Sequence, residues 1–153
     1  MAIKVVRTAQ ASWSGTVPDG GGRIGLGSGA FEGPFTLKAR VDEGGQLGAN
    51  PEELVGAGHA ACFTMSLANL LSDEEHPPED LQTTARVHLE QLESGFAITR
   101  IELSTVGRVD GIDEEEFARL AEQAKATCPV SRALAATEIT LTAELVGNQR
   151  EER

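Results

Sequence analysis

Residues 50–71 read NPEELVGAGHAACFTMSLANLL, the longest apolar and small-residue stretch in the chain and the feature that most limits how it can fold. Asn50 suits a helix cap and Pro51 the first helical position. Glu53, three residues beyond the cap, is placed to reach back to the cap's own N–H. From Leu54 onward Leu, Val, Ala, Phe and Met fall on every side of the helical wheel, which suits a helix enclosed by protein or by lipid. His59, Thr64, Ser66 and Asn69 interrupt the run and acidic residues flank it, so a helix central to a water-soluble fold is the reading.

Around this helix the chain reads as α+β. Ile3–Trp13 and the glycine-rich PDGGGRIGLGSG segment give two strands joined by a loose turn. PFTLKARVD alternates, with Phe35, Leu37, Ala39 and Val41 on one face and Lys38 and Arg40 on the other, which predicts a half-buried strand. EGGQLGA is a loop into the Asn50 cap. After the helix, DEEHPPED is a charged surface loop. TTARVHLEQLESGFAITRIELSTVGRV predicts a hairpin turning at Glu93–Gly95, with a bulge near Arg100. Gly111–Ala126 regains helical spacing behind Asp113 as a cap. A second short helix runs from Val130 to Ala136 with Pro129 at its first position, which puts Cys128 at a helix start. Ile139, Leu141, Ala143 and Leu145 alternate in a final strand, and residues 147–153 form a polar tail. Residues 1–153 are expected to make one domain.

A net charge of −11 opposes phosphate binding, so nucleic acid is not an expected partner. MAIKVVRTAQ has no apolar run behind its positive charges. No secretory signal or membrane association is expected, and the cytoplasm is the expected compartment. In that setting the two cysteines are read as working thiols before they are read as a structural staple. Cys62 lies mid-helix, where a small core hydrophobe is the plain alternative. Cys128, at a helix start, faces unpaired N–H groups that favour thiolate. If the two sulfurs meet, oxidation of one and resolution by the other is an economical scheme. A reactive Cys62 needs a cation, and its own helix offers only His59; among the arginines Arg40 stands out because it precedes the loop into the helix, with Arg7, Arg23, Arg86, Arg100, Arg108, Arg119 and Arg132 as alternatives. Glu52 lies ten residues before Cys62, about 15 Å of helix rise, so it reaches a Cys62 only across a bend or in a second copy of the helix.

NPEELVGAGHAACF, the GFAIT hairpin and CPVS at Cys128–Ser131, in that order, resemble the OsmC/Ohr family, and the OsmC branch more than the Ohr branch. The resemblance implies an intertwined homodimer of α+β chains, with antiparallel sheets and a long central buried helix. It also implies a thiol-dependent peroxidase that prefers organic hydroperoxides, needs no cofactor or metal, and is re-reduced by a dithiol or lipoyl-type partner. By motif, Cys62 resembles the peroxidatic cysteine, Cys128 the resolving cysteine, Glu52 the active-site glutamate and Arg40 the activating arginine. The mechanism so implied has Glu52 fixing the Arg40 guanidinium, which orients the Cys62 thiolate. His59 stands where the Ohr branch has tyrosine and receives no role. Two other schemes use the same residues: a metal site of His59, Cys62 and Cys128, and a non-enzymatic stress dimer binding an apolar ligand.

Overall fold

The computed structural model describes residues 2–43 and 48–147. The chain forms two compact units, Met1–Leu54 and Val55–Arg153. Most of the expected EGGQLGA loop and the tail beyond Gly147 lie outside the described residues.

The first unit is a meander of β1 (Ala9–Ser14), β2 (Gly21–Leu26) and β3 (Glu32–Phe35), all antiparallel. The glycine-rich segment forms β2 because two aromatic rings close over it. Trp13 and Phe35 approach to 5.3 Å between centroids, and a Cβ on Gly22 would lie 2.7 Å from Phe35 and 3.0 Å from Trp13. Only glycine leaves that space.

The alternating PFTLKARVD segment is not a strand. Only Pro34 and Phe35 belong to β3, and Leu37–Val41 form a short helix, α1, that carries Arg40. Thr36 decides the change: its hydroxyl accepts from the Ala39 N–H at 3.0 Å as a helix cap. Backbone bonds from Arg40 N–H to Thr36 C=O and from Asp42 N–H to Lys38 C=O then close the turn. Five residues are too few for the two periods to separate, and a strong cap outweighs alternation.

The long helix α2 (Pro51–Asp73) starts in the first unit and continues into the second. The Glu53 N–H donates to Asn50 Oδ1 at 2.8 Å, as the cap requires. The helix is long and apolar enough to cross a membrane by length and composition, but Phe63, Leu67 and Leu71 are fully buried in the core of the second unit. Its burial is one-sided: Ala57, Gly58, Ala61, Met65 and Asn69 lie exposed on another side. The helix is thus not enclosed all round within one chain. The Thr64 hydroxyl is accommodated by hydrogen bonds with Ala60 C=O and the Thr83 hydroxyl, each at 2.7 Å, and Thr83 in turn meets Thr105 at 3.0 Å.

In the second unit β4 (Asp80–Leu92) and β5 (Gly95–Arg108) form the expected hairpin. The register shifts after His88, so Thr99 is the extra residue beside Arg100. Next come α3 (Glu114–Thr127), capped by Asp113, and α4 (Pro129–Ala133); β6 (Glu138–Leu145) then pairs with β5 in parallel. An all-antiparallel sheet was the expectation. The two helices supply the crossover that a parallel neighbour needs. Ile101 and Leu103 of β5 and Phe117, Leu120, Ala121 and Ala124 of α3 close the core around Phe63, with Cys128 also inside.

Candidate active site

Two pairs of side chains hold the four residues singled out for chemistry. In the first unit Arg40 and Glu52 form a two-pronged ion pair, with Nε donating to Oε1 at 3.0 Å and Nη2 to Oε2 at 2.8 Å. Glu52 is buried and the Arg40 side chain 38% exposed. The hydrogen bonds to Glu52 raise the guanidinium's pKa against a smaller opposing effect of burial. A planar fork matched to a carboxylate is the geometry that distinguishes arginine from lysine. The rival arginines are less well held: Arg23 meets Glu32 at 3.5 Å with both side chains largely in water, and Arg7 is exposed ahead of β1.

Beside Arg40 lies a cavity of about 200 Å³, walled by Trp13, Val17, Phe35, Leu37 and Pro51, with Thr36 and Arg40 as its polar members. Phe63 and Met65, the large apolar residues nearest Cys62 in sequence, do not line it: Phe63 belongs to the core and Met65 is exposed. The cavity wall comes from β1, the loop after it and the β3–α1 junction. Only its aromatic content was visible in the sequence.

In the second unit Cys62 and Cys128 are free thiols, close enough for each to shift the other's titration. Cys62 is partly exposed and Cys128 fully buried. The sequence positions Cys128 by ending one helix and starting another at the same residue. Its N–H closes α3 on Ala124 C=O. Pro129 then opens α4, whose Ser131 N–H donates to Cys128 Sγ at 3.4 Å.

Burial is the largest influence on both thiols, but the outcomes differ. For Cys62, burial and the bond with Cys128 raise the pKa, opposed by the backbone at Val130. For Cys128, burial raises it, yet the combined hydrogen bonds from Cys62, the Ser131 N–H and hydroxyl, and the Val130 backbone outweigh burial and lower it. The directions of the two shifts make Cys128 the more readily ionised thiol of the pair. No cation figures among the influences on Cys62.

One pair was missed by sequence reasoning. His59, fully buried, meets the Ser131 hydroxyl through Nε2 at 2.7 Å. A histidine one turn before Cys62 on an apolar helix was the available signal. Among the described residues no group of three or more His, Cys, Asp or Glu side chains is placed to hold a metal.

The chain is similar to proteins of one kind. Residues 43–144 match the family model described as OsmC-like protein. Peroxiredoxin OsmC of Escherichia coli strain K12 is 42% identical over 144 residues, covering 94% of this chain and 99% of its own. An organic hydroperoxide resistance protein of Xanthomonas axonopodis pv. citri is 31% identical over 141 residues, covering 91% and 95%. The solved structure of the organic hydroperoxide resistance protein OhrB of Bacillus subtilis superimposes with a TM-score of 0.65 at 28% identity, covering 91% of this chain and 98% of the other.

Proposed function

The chain belongs to the OsmC-like protein family, and from that premise we propose that it is a cysteine-based peroxidase, acting as one domain, that reduces organic hydroperoxides to alcohols in preference to hydrogen peroxide. The observation that supports the reading is the neighbouring pair of free thiols, with Cys62 the less buried residue of the two. A Cys62 thiolate attacks the terminal oxygen of R–O–O–H and the O–O bond breaks. The alkoxide leaves as R–OH on taking a proton, and Cys62 becomes a sulfenic acid. Cys128 condenses with it, releasing water and forming a disulfide. An external dithiol or lipoyl-type reductant returns both sulfurs to thiols.

The resting proton on Cys62 must first be displaced, and a guanidinium at Cys62 does this. Arg40, fixed by Glu52, is the residue for that task, and the apolar cavity beside it holds the organic group of the peroxide. About 15 Å of helix rise separates Glu52 from the Cys62 of its own chain. The exposed Ala57, Gly58, Ala61 and Met65 face of α2 suits close packing against the same helix of a second chain. A homodimer in which each Arg40–Glu52 pair serves the partner's thiol meets both conditions. A monomer in sedimentation equilibrium at micromolar concentration would remove this arrangement. The scheme places the protein in the cytoplasm, where dithiol reductants are available.

Steady-state turnover with a dithiol tests the reading. Cumene hydroperoxide is expected to give a kcat/KM at least roughly tenfold above that for hydrogen peroxide, because only the former fills an apolar pocket. Arg40→Ala is expected to lower that value by roughly a hundredfold or more, the loss of a charge-assisted contact made in the transition state, while Arg23→Ala leaves it within about twofold. Equal losses in the two variants would remove Arg40 from the mechanism, and turnover by Cys62→Ser would remove the thiol chemistry altogether.

A further inference from the structure

The mechanism above gives no work to His59 or Ser131, yet these are the best-buried polar side chains beside the thiol pair. His59 is 0% and Ser131 5% exposed, and they meet at 2.7 Å. Ser131 also donates its N–H to Cys128 Sγ at 3.4 Å, and its hydroxyl is among the influences that lower the Cys128 pKa. The other imidazole nitrogen, Nδ1, is buried without a partner.

That orphan nitrogen fixes the direction of the bonds. A bare buried acceptor costs less than a buried N–H with nothing to accept it, so the proton belongs on Nε2. Nε2–H then donates to the Ser131 oxygen, and the Ser131 proton is left to point at Cys128 Sγ. Burial keeps the imidazole neutral by lowering its pKa, so it acts as a plain donor. His59 thus holds Ser131, and Ser131 in turn donates to Cys128 Sγ.

We propose that His59 is a positioning residue for the resolving step: by holding the Ser131 hydroxyl it keeps Cys128 Sγ a hydrogen-bond acceptor aimed at Cys62. The proposal rests on the peroxidase reading for its consequence, though not for its geometry. When Cys62 carries the sulfenic acid, its S–O bond breaks as the S–S bond to Cys128 forms. The hydroxyl leaves as hydroxide and takes a proton from solvent to become water. A sulfur already relieved of its proton and held in line makes that attack faster.

Two measurements test it. In a Cys62→Ser background, ultraviolet thiolate absorbance at neutral pH reads the ionised fraction of Cys128. It is expected to fall in both His59→Leu and Ser131→Ala, and to recover in His59→Gln, whose amide nitrogen can reach the same oxygen. In the protein with both cysteines, one equivalent of cumene hydroperoxide with a sulfenic-acid trap separates the steps. Disulfide formation is expected to slow roughly tenfold in His59→Leu and Ser131→Ala, the effect of one lost hydrogen bond to a charged group, while Cys62 oxidation slows far less. Ser131→Ala, a small change in a folded turn, keeps the test valid should His59→Leu fail to fold. Unchanged thiolate absorbance in both variants overturns the assignment whatever the enzyme does. Equal slowing of both steps also overturns it. A parent protein whose Cys62 stays reduced overturns the peroxidase reading, and the resolving role with it, while the absorbance arm still reports on the geometry.

Discussion

His59 shows how a residue's environment sets its contribution at each pH. Burial holds its folded-state pKa below the ordinary value, which is about 6.5 in the unfolded chain. Above that value both states are neutral and the full stability is present. As pH falls below it the unfolded chain takes up a proton that the folded chain refuses, so stability is lost until the lower folded pKa is reached. Denaturant unfolding of the parent protein is therefore expected to weaken on acidification from about pH 7 to pH 5, by at most about 1.4 kcal/mol per pH unit from this group. His59→Gln removes that slope. Parallel pH profiles for the two proteins would mean that His59 is protonated in the fold. Motifs in the sequence singled out Cys62, Cys128, Glu52 and Arg40, and the fold pairs Arg40 with Glu52. The His59–Ser131 bond was not, because it joins residues 72 apart in the chain and no local spacing encodes such a contact.

Elements whose period runs long were readable, and short ones were not. The 23 residues of α2 and the 14 of α3 repeat their pattern often enough to fix their type, and their caps at Asn50 and Asp113 bond as the sequence implies. The α1 segment has five residues, and there the Thr36 cap overrode an alternating pattern. Strand β6 was recognisable as a strand, but its parallel pairing with β5 depends on α3 and α4 packing back over the sheet, a tertiary event. Close packing at this scale leaves Gly107 of β5 no room for a side chain, since a Cβ there would lie 2.6 Å from Phe117 and 2.9 Å from Leu81. Gly107→Ala is expected to destabilise the protein by about 1–3 kcal/mol through overpacking, visible as a thermal midpoint lower by several degrees. An unchanged midpoint would show that Phe117 has space to shift.

For the whole molecule, the apolar α2 was informative about fold class, while its half-exposed state emerged only from the fold. A helix that buries Phe63, Leu67 and Leu71 yet leaves Met65 75% exposed is packed on one side and bare on another. The proposed dimer answers that bareness and the distance between Glu52 and Cys62 with a single arrangement. Everything in it depends on the two sulfurs acting as a redox pair. The most direct measurement is mass spectrometry of the alkylated protein after one equivalent of cumene hydroperoxide per chain. The account predicts a single disulfide joining Cys62 to Cys128 within one chain, with no thiol left to alkylate. Cys62 recovered as a free, alkylated thiol after excess peroxide would contradict it.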